Sequence, residues 1–364
     1  MSPMNQRPAP AAADPAFHLT VDAPGVIGRS YSRPAALGPT EVRVATLFSG
    51  ISAGTEMTAF HGTSPFLNRR WDPALRLFVE DAAASWTYPM PAMGYEEVGR
   101  VVEVGREVTR VQTGQVVWGA WRHRSEHVAD EEWAAARILP EGVEPRLGIF
   151  SQIGAIALNA ILDANVRLGE VVAVFGQGVP GLLVTRLARL SGATVIAVDR
   201  LPSRLDHARA LGATHAIDAG EGDVAARIKG LTDGRGADVS IEISGAYGAL
   251  DEAIRATAYN SRVVVCGFFQ GGGAALRLGE EFHHNRIGLV CSQIGGVSPA
   301  LGHRWTRARL ERTVMGLIAE GRVDAGRLIS HTLPASRAQA AFDMLRDRPA
   351  ECLQVVLDFR EDPS

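Results

Sequence analysis

The stretch that most constrains this chain is Val171–Asp199, VVAVFGQGVPGLLVTRLARLSGATVIAVD. Val171–Phe175 is a short apolar, β-branched run of the kind that forms a buried parallel strand. Gly176, Gly178 and Gly181 follow in G-x-G-x-x-G spacing. Leu182, Leu183, Leu187 and Leu190 then recur at helical spacing, Gly192 supplies a stop, and Thr194–Val198 reads as the next strand. Asp199 ends that strand, at the distance a dinucleotide fingerprint expects for an acid. Each glycine has a physical task. Gly176 makes the tight turn, Gly178 admits a pyrophosphate to the backbone, and Gly181 lets helix and strand pack closely. The helix start offers free N–H groups and a positive dipole end. Gln177, Val179 and Pro180 lie between the glycines and are expected to line the phosphates. Pro180 fits the first helical turn, where its missing N–H costs little. Asp199 is expected to take a ribose hydroxyl and to repel a 2′-phosphate, which favours NAD over NADP. Arg200 and Arg204 lie just beyond and would blunt that preference.

A strand–helix alternation continues downstream. Helix Pro202–Leu211, strand Thr214–Ile217, helix Glu221–Leu231, strand Asp238–Ile243, helix Gly245–Ala258 and strands Arg262–Cys266 and Ile287–Cys291 are expected. The rhythm predicts an α/β fold with a doubly wound parallel sheet. Ser244 and Gly267, just past the fourth and fifth strands, join the expected cofactor contacts. Upstream, Gln152–Ala164 reads as an apolar helix. Before it, Glu41–Phe48, Gly94–Gly105 and Val116–Ala120 read as short strands with glycine turns, which predicts a mostly antiparallel domain. Residues 57–91 carry four prolines and read as a long loop with short helical pieces, a length that is often functional. After helices Arg304–Glu320 and Ser336–Asp347, strands Leu328–Leu333 and Gln354–Leu357 are expected to rejoin the first domain. The expected organisation is a disordered leader at 1–16, one domain from 17–150 and 301–364, and a nucleotide-binding domain at 151–300.

At 364 residues and 46% hydrophobic content, the chain has material for two domains. A net charge of −3 gives no reason to expect nucleic acid or a membrane surface as partner. No run of about 18 apolar residues is evident, so no membrane span is expected. Cys266, Cys291 and Cys352 are widely spaced and form no metal cluster, which suggests a reducing, cytoplasmic setting.

Taken with the antiparallel first domain and the C-terminal return, the motifs GYEEVGRVVEVG, VFGQGVPGLL with Asp199, DHARALGATHAID and GRGADVSIEISG resemble the medium-chain dehydrogenase/reductase superfamily. The likeness covers essentially the chain from residue 20 onward. It implies a Rossmann domain beside a GroES-like catalytic domain, a small-molecule substrate, and a homodimer joined through strands of the Rossmann sheet, for which Gly288–Gly296 is compatible. FSGISAGTE and MGYEEVGRVVE look most like the branch containing bacteriochlorophyllide hydroxyethyl dehydrogenase, which oxidises a secondary alcohol with NAD. The zinc enzymes of the superfamily carry a Cys before a G-T-D-like motif, a His in G-H-E and a third ligand before the first Rossmann strand. Here those places hold Ala53, Tyr95 and Phe150-Ser151-Gln152. No metal site is therefore expected. His123 and His127 read as exposed histidines of the polar turn WRHRSEH, without a third ligand.

Hydride transfer leaves a substrate oxygen that needs a proton partner, a role zinc otherwise supports. The only lysine, Lys229, lies in a Rossmann helix, which disfavours a Tyr–Lys pair. Tyr95 is the first candidate, as acid/base or as packing that fills the vacated metal pocket; base work would need its pKa lowered from about 10. Glu96 is either an acid/base or the partner of an arginine. Glu56, after Thr55, is either catalytic or a carboxylate that ties backbone amides. His61 is a proton relay or a loop histidine. Arg69, Arg70 and Arg76 either hold an anionic or polyhydroxyl substrate or form a solvated face, and His283 and His284 are candidate substrate contacts. The expected function is zinc-independent, NAD(H)-dependent interconversion of a secondary alcohol and a ketone on a polar or multi-ring metabolite. A reductase of an activated C=C bond and a non-catalytic NAD(H) sensor are the alternatives.

Overall fold

The computed structural model describes residues 15–80 and 83–360. Most of the expected leader lies outside them. The chain opens with two strands that the expected pattern lacks, β1 (Ala16–Ala23) and β2 (Val26–Ser32), paired antiparallel. β3 (Glu41–Ile51) runs three residues past the expected Phe48 and delivers its end directly to helix α1 (Thr55–His61). The segment Ser52–Gly54 is thus a short strand–helix junction. The 57–91 stretch contains the hairpin β4 (Arg70–Asp72) and β5 (Leu77–Val79), then the two-residue strand β6 (Met90–Pro91) on β1. β7 (Glu97–Val104), β8 (Val116–Gly119) and β9 (Glu126–Asp130) follow, with the short helix α2 (Glu131–Ala135). β7 lies between β3 and β8, and β9 adds to β3.

The second half begins with α3 (Phe150–Ala164) and β10 (Val171–Phe175). Then come α4 (Val179–Leu190), β11 (Thr194–Asp199), α5 (Pro202–Ala210), β12 (His215–Asp218), α6 (Val224–Gly230), β13 (Ala237–Glu242), α7 (Tyr247–Ala256), β14 (Thr257–Val265) and β15 (Gly288–Cys291). All six strands are parallel, in the order β12-β11-β10-β13-β14-β15, the doubly wound arrangement. β10 and β11 are almost wholly buried because helices cover both faces. Leu182, Leu183 and Leu187 of α4 pack inward, and Gly192 ends the turn at φ 86°, a backbone conformation that favours glycine.

After α8 (Arg307–Ala319), the chain adds β16 (Ile329–Pro334), α9 (Ala338–Asp347) and β17 (Gln354–Asp358). β17 pairs antiparallel with β3, so the last two strands do enter the first sheet. One core joins the halves: Phe48, Val98 and Trp118 of the first sheet belong to the cluster that contains Phe150, Leu182, Val314 and Met315. The segment 145–164 is long and apolar enough to cross a membrane by composition, against the expectation that none is; 83% of its window is buried in this core.

Candidate active site

The site has two sides. On the dinucleotide side, β10 ends in Gly176 at φ 98°, pressed against Ser244. A Cβ on Gly181 would run into the carbonyl oxygen of Gly176, so strand and helix can pack this closely only with glycine there. A Cβ on Gly178 would meet nothing nearer than Pro180 at 3.9 Å, which leaves the loop backbone open to a ligand. Pro180 occupies the first turn of α4, as its ring allows. Asp199 is buried at the end of β11. One of its carboxylate oxygens accepts from the Gln177 N–H at 2.6 Å, the other from the Leu201 N–H at 2.9 Å. Open glycine backbone, a helix start and an adjacent carboxylate are the features that fit a dinucleotide.

Two of the expected contacts have their side chains engaged within the protein. The Gln177 side chain is fully buried, bonded to the Val174 carbonyl and the Thr185 hydroxyl, so only its backbone faces the loop. Arg204 donates to the Pro349 carbonyl at 3.2 Å, and Arg200 is exposed. Ser244 and Gly267 meet at Glu242, a residue the sequence reading missed. Its carboxylate accepts from the Ser244 hydroxyl and from the Ser244 and Gly245 N–H groups, at 2.8 and 3.1 Å. Burial pushes Glu242 up to about 7 against those bonds. An acid that ends a strand just before Ser-Gly, in IEISG, was the available signal; it repeats the placement of Asp199.

On the opposite side, the segment Ser49–Glu56 meets the segment Tyr95–Glu97. The Tyr95 hydroxyl shares a short hydrogen bond with the Ser52 hydroxyl, and the Thr55 side chain also bonds to it. Burial and the neighbouring Glu96 hold the Tyr95 phenol well above its ordinary range. That is opposite to the lowering a base would need; the group is a neutral hydroxyl at any ordinary pH. Glu96 is almost fully buried and, among the described residues, pairs with no arginine. Its side-chain partner is Gln354, and its Oε2 has none. Burial first, then the charges of Glu56 and Glu97, keep its carboxyl well above the usual carboxylate range.

Behind the hydroxyls lies a buried chain of charge. Glu56 Oε1 accepts from the Ser52 N–H at 2.8 Å, and Glu56 Oε2 lies 2.6 Å from His123 Nε2. The other ring nitrogen lies 2.6 Å from the Ser49 hydroxyl, which donates to Glu97 at 3.0 Å. Glu97 also accepts from the Trp121 N–H at 2.7 Å. His123 is fully buried, which corrects its reading as an exposed turn residue. Burial disfavours its charged form, but contact with Glu56 and the nearby Glu97 outweigh this and hold its pKa above the ordinary value. Glu97 is pushed up to about 7 by burial. His127 is half-buried, stacks on Trp121, and is driven down to about 4. Among the described residues, no group of three or more His, Cys, Asp or Glu side chains is arranged to hold a metal ion.

The remaining candidates lie elsewhere. His61 is exposed at the far end of α1, roughly 9 Å along the helix axis from Thr55. Arg69 and Arg70 pair with Glu80 and Asp72 on the exposed hairpin, where Arg76 is also exposed. His283 and His284 stack edge-on to each other in solvent.

Residues 180–301 match the zinc-binding dehydrogenase family. Across 92% of the chain and 97% of the relative, the sequence is 29% identical to D-guloside 3-dehydrogenase of Escherichia coli K12. A Sinorhizobium meliloti 1021 protein solved with NADP has the same fold, with TM-score 0.74 and 22% identity over 95% of this chain and 99% of that one. So does an alcohol dehydrogenase of Escherichia coli CFT073 solved with NADH, with TM-score 0.74 and 17% identity over 95% and 99%. With the 3-2-1-4-5-6 sheet, the glycine loop and the C-terminal return to the first sheet, these likenesses support the medium-chain dehydrogenase/reductase superfamily for this chain.

Proposed function

We propose that this protein is an NAD(H)-dependent dehydrogenase that interconverts a secondary alcohol and a ketone on a polyhydroxylated metabolite, without a catalytic zinc. The observation that carries the reading is the Tyr95–Ser52–Thr55 hydroxyl cluster: Tyr95 stands where the superfamily's zinc enzymes carry a histidine, and Ser52 and Thr55 lie on either side of Ala53, which stands where they carry a cysteine. Ala53 and Tyr95 offer no thiolate or imidazole, so the donor set does not fit zinc. The nicotinamide, when bound, supplies or accepts the hydride. This chain's own residues handle the proton. A neutral phenol is ready to donate to a carbonyl oxygen, which supports ketone reduction. In the oxidative direction the substrate hydroxyl must lose its proton against a raised phenol pKa, so alcohol oxidation is expected to accelerate as pH rises. Asp199 supports NAD, since its buried charge opposes a 2′-phosphate. The relative named for guloside oxidation supports a sugar-like substrate. The open edge of β15, with Leu289 exposed, supports a homodimer joined there, and three free cysteines fit a reducing cytoplasm.

The test is NADH formation from NAD⁺ and a panel of glycosides and cyclitols, with and without a strong chelator. Turnover unaffected by chelator is expected. Turnover abolished by chelator would show that a metal does the work assigned to Tyr95. Activity confined to NADPH and conjugated enones would move the protein to the C=C reductases, and cofactor binding with no turnover would make it a sensor.

A further inference from the structure

A cavity of about 280 Å³ opens between Gly119, Trp133 and Arg137 on one side and helices α3 and α8 on the other. Its place follows from strand register. Glu97 of β7 is paired with Gly119 of β8, so the Gly119 floor lies at the ladder end from which Glu96 and Tyr95 extend. The walls come from both halves of the fold. Trp133 and Arg137 belong to the first domain, Gln152 to the first turn of α3, and Arg307 and Glu311 to the start of α8.

The charges are unequal. The Glu311 side chain is 6% exposed and is shared by two guanidinium groups, Arg307 at 3.0 Å and Arg137 at 3.3 Å. Two cations on one carboxylate leave the trio with a formal charge of +1. Each guanidinium carries five N–H donors, more than one carboxylate can engage. Arg307 also donates to Gln152 Oε1 at 2.8 Å, which fixes the buried amide against the cavity. Arg137 donates to the Trp133 carbonyl and lies 4.8 Å over the indole. A Cβ on Gly119 would meet Trp133 Cζ2 at 2.5 Å, so the indole rests on bare backbone. A surplus cation and a fixed amide beside an indole wall together suit a small ligand that bears hydroxyls and an anionic group. At about 280 Å³ the volume lies just below the usual range for ligand sites, which suits a small ligand and not an extended one.

We propose that this cavity is a specificity subsite for the carboxylate of a single-ring sugar acid of the hexuronate class, with Arg307 and Arg137 as its anion-binding residues. The proposal rests on the dehydrogenase reading, because it supplies the substrate of the same site. The alternative is that the arginines and Glu311 only tie the domains together.

The experiment is calorimetric binding of methyl hexuronides, each paired with its neutral methyl hexoside, to the NAD⁺-saturated protein and to Arg307→Gln, with NADH formation followed separately. The acid of at least one pair is expected to bind about tenfold more tightly than its neutral partner, and Arg307→Gln is expected to reduce that preference to about twofold, with NADH affinity unchanged. Gly119→Ala, which displaces the indole, is expected to weaken acid and neutral ligand alike. Equal binding of acid and neutral ligands in every pair overturns the subsite, as does a preference that survives Arg307→Gln. Acid-selective binding without NADH formation leaves the subsite standing and overturns the dehydrogenase reading instead.

Discussion

At the end of β10, what the molecule offers a ligand is backbone; at the end of β3, it offers side chains. The glycine loop needs no more than the absence of three Cβ atoms and one carboxylate, and all of these fall within 24 residues. The Tyr95 side gathers residues 49, 52, 55, 56, 95, 97 and 123 from three separate segments, and steadies them with charge buried away from water. A backbone site tolerates change at a distance, because its geometry is local. A side-chain site held by buried charge fails when any member is lost, because the remaining charges have no solvent to turn to.

The sharpest way to break this comparison is His123→Ala. It leaves Glu56 and Glu97 without their shared cation, and a loss of about 3–5 kcal/mol in unfolding free energy is expected. Denaturant unfolding reads this directly; a loss below about 1 kcal/mol would mean that the network is not a charged unit. Next is Tyr95→Phe. Removal of the hydroxyl is expected to lower kcat by about 10²–10⁴ while the Kd for NADH stays within about twofold. Steady-state kinetics beside a fluorescence titration checks both, and full turnover would remove Tyr95 from the chemistry.

The dinucleotide side should respond more gently. Glu242 has a folded pKa of about 7 against an ordinary 4.5, so the folded protein holds a proton that the unfolded chain releases. Stability is therefore undiminished below about pH 4.5, falls as pH rises from there to about 7, and is then level, a drop on the order of 3 kcal/mol from this group. Glu242→Gln should flatten that part of the curve, while Glu97 leaves a residual slope of the same sign. An unchanged pH profile of the unfolding midpoint would refute the assignment. The smallest effect is expected at Asp199→Ser, which removes the charge that opposes a 2′-phosphate. A gain of about tenfold in NADP affinity relative to NAD, read by competitive titration, is expected. No change in preference would shift the discrimination to Arg200 and its neighbours.

The two sides also differ in how far the sequence discloses them. Gly176, Gly178, Gly181, Pro180 and Asp199 are legible because their roles depend on near neighbours and on one strand–helix period. Glu242 is legible by the same logic, as the acid that ends a strand in IEISG. On the other side, Tyr95 could be singled out because it stands at the place of a metal ligand, and Thr55 because it follows Ala53 at another. Nothing in WRHRSEH marked His123 as buried, since a polar turn reads as exposed until it is known what packs over it. β1 was legible in AFHLTVDA, where Phe17, Leu19 and Val21 alternate with His18, Thr20 and Asp22; only the tertiary structure decides that it carries β6 and brackets the His123 turn.

By itself, the sequence determined the doubly wound sheet, its glycine loop and the acid at the second strand's end, because hydrophobic period and steric need for glycine act over a few residues. Only the tertiary structure decided which way the Gln177 and Arg204 side chains turn, that Tyr95 stays a neutral hydroxyl, and that His123 lies between two carboxylates. Those outcomes depend on burial and on charges brought together from distant segments, and neither is a property of any single stretch of chain.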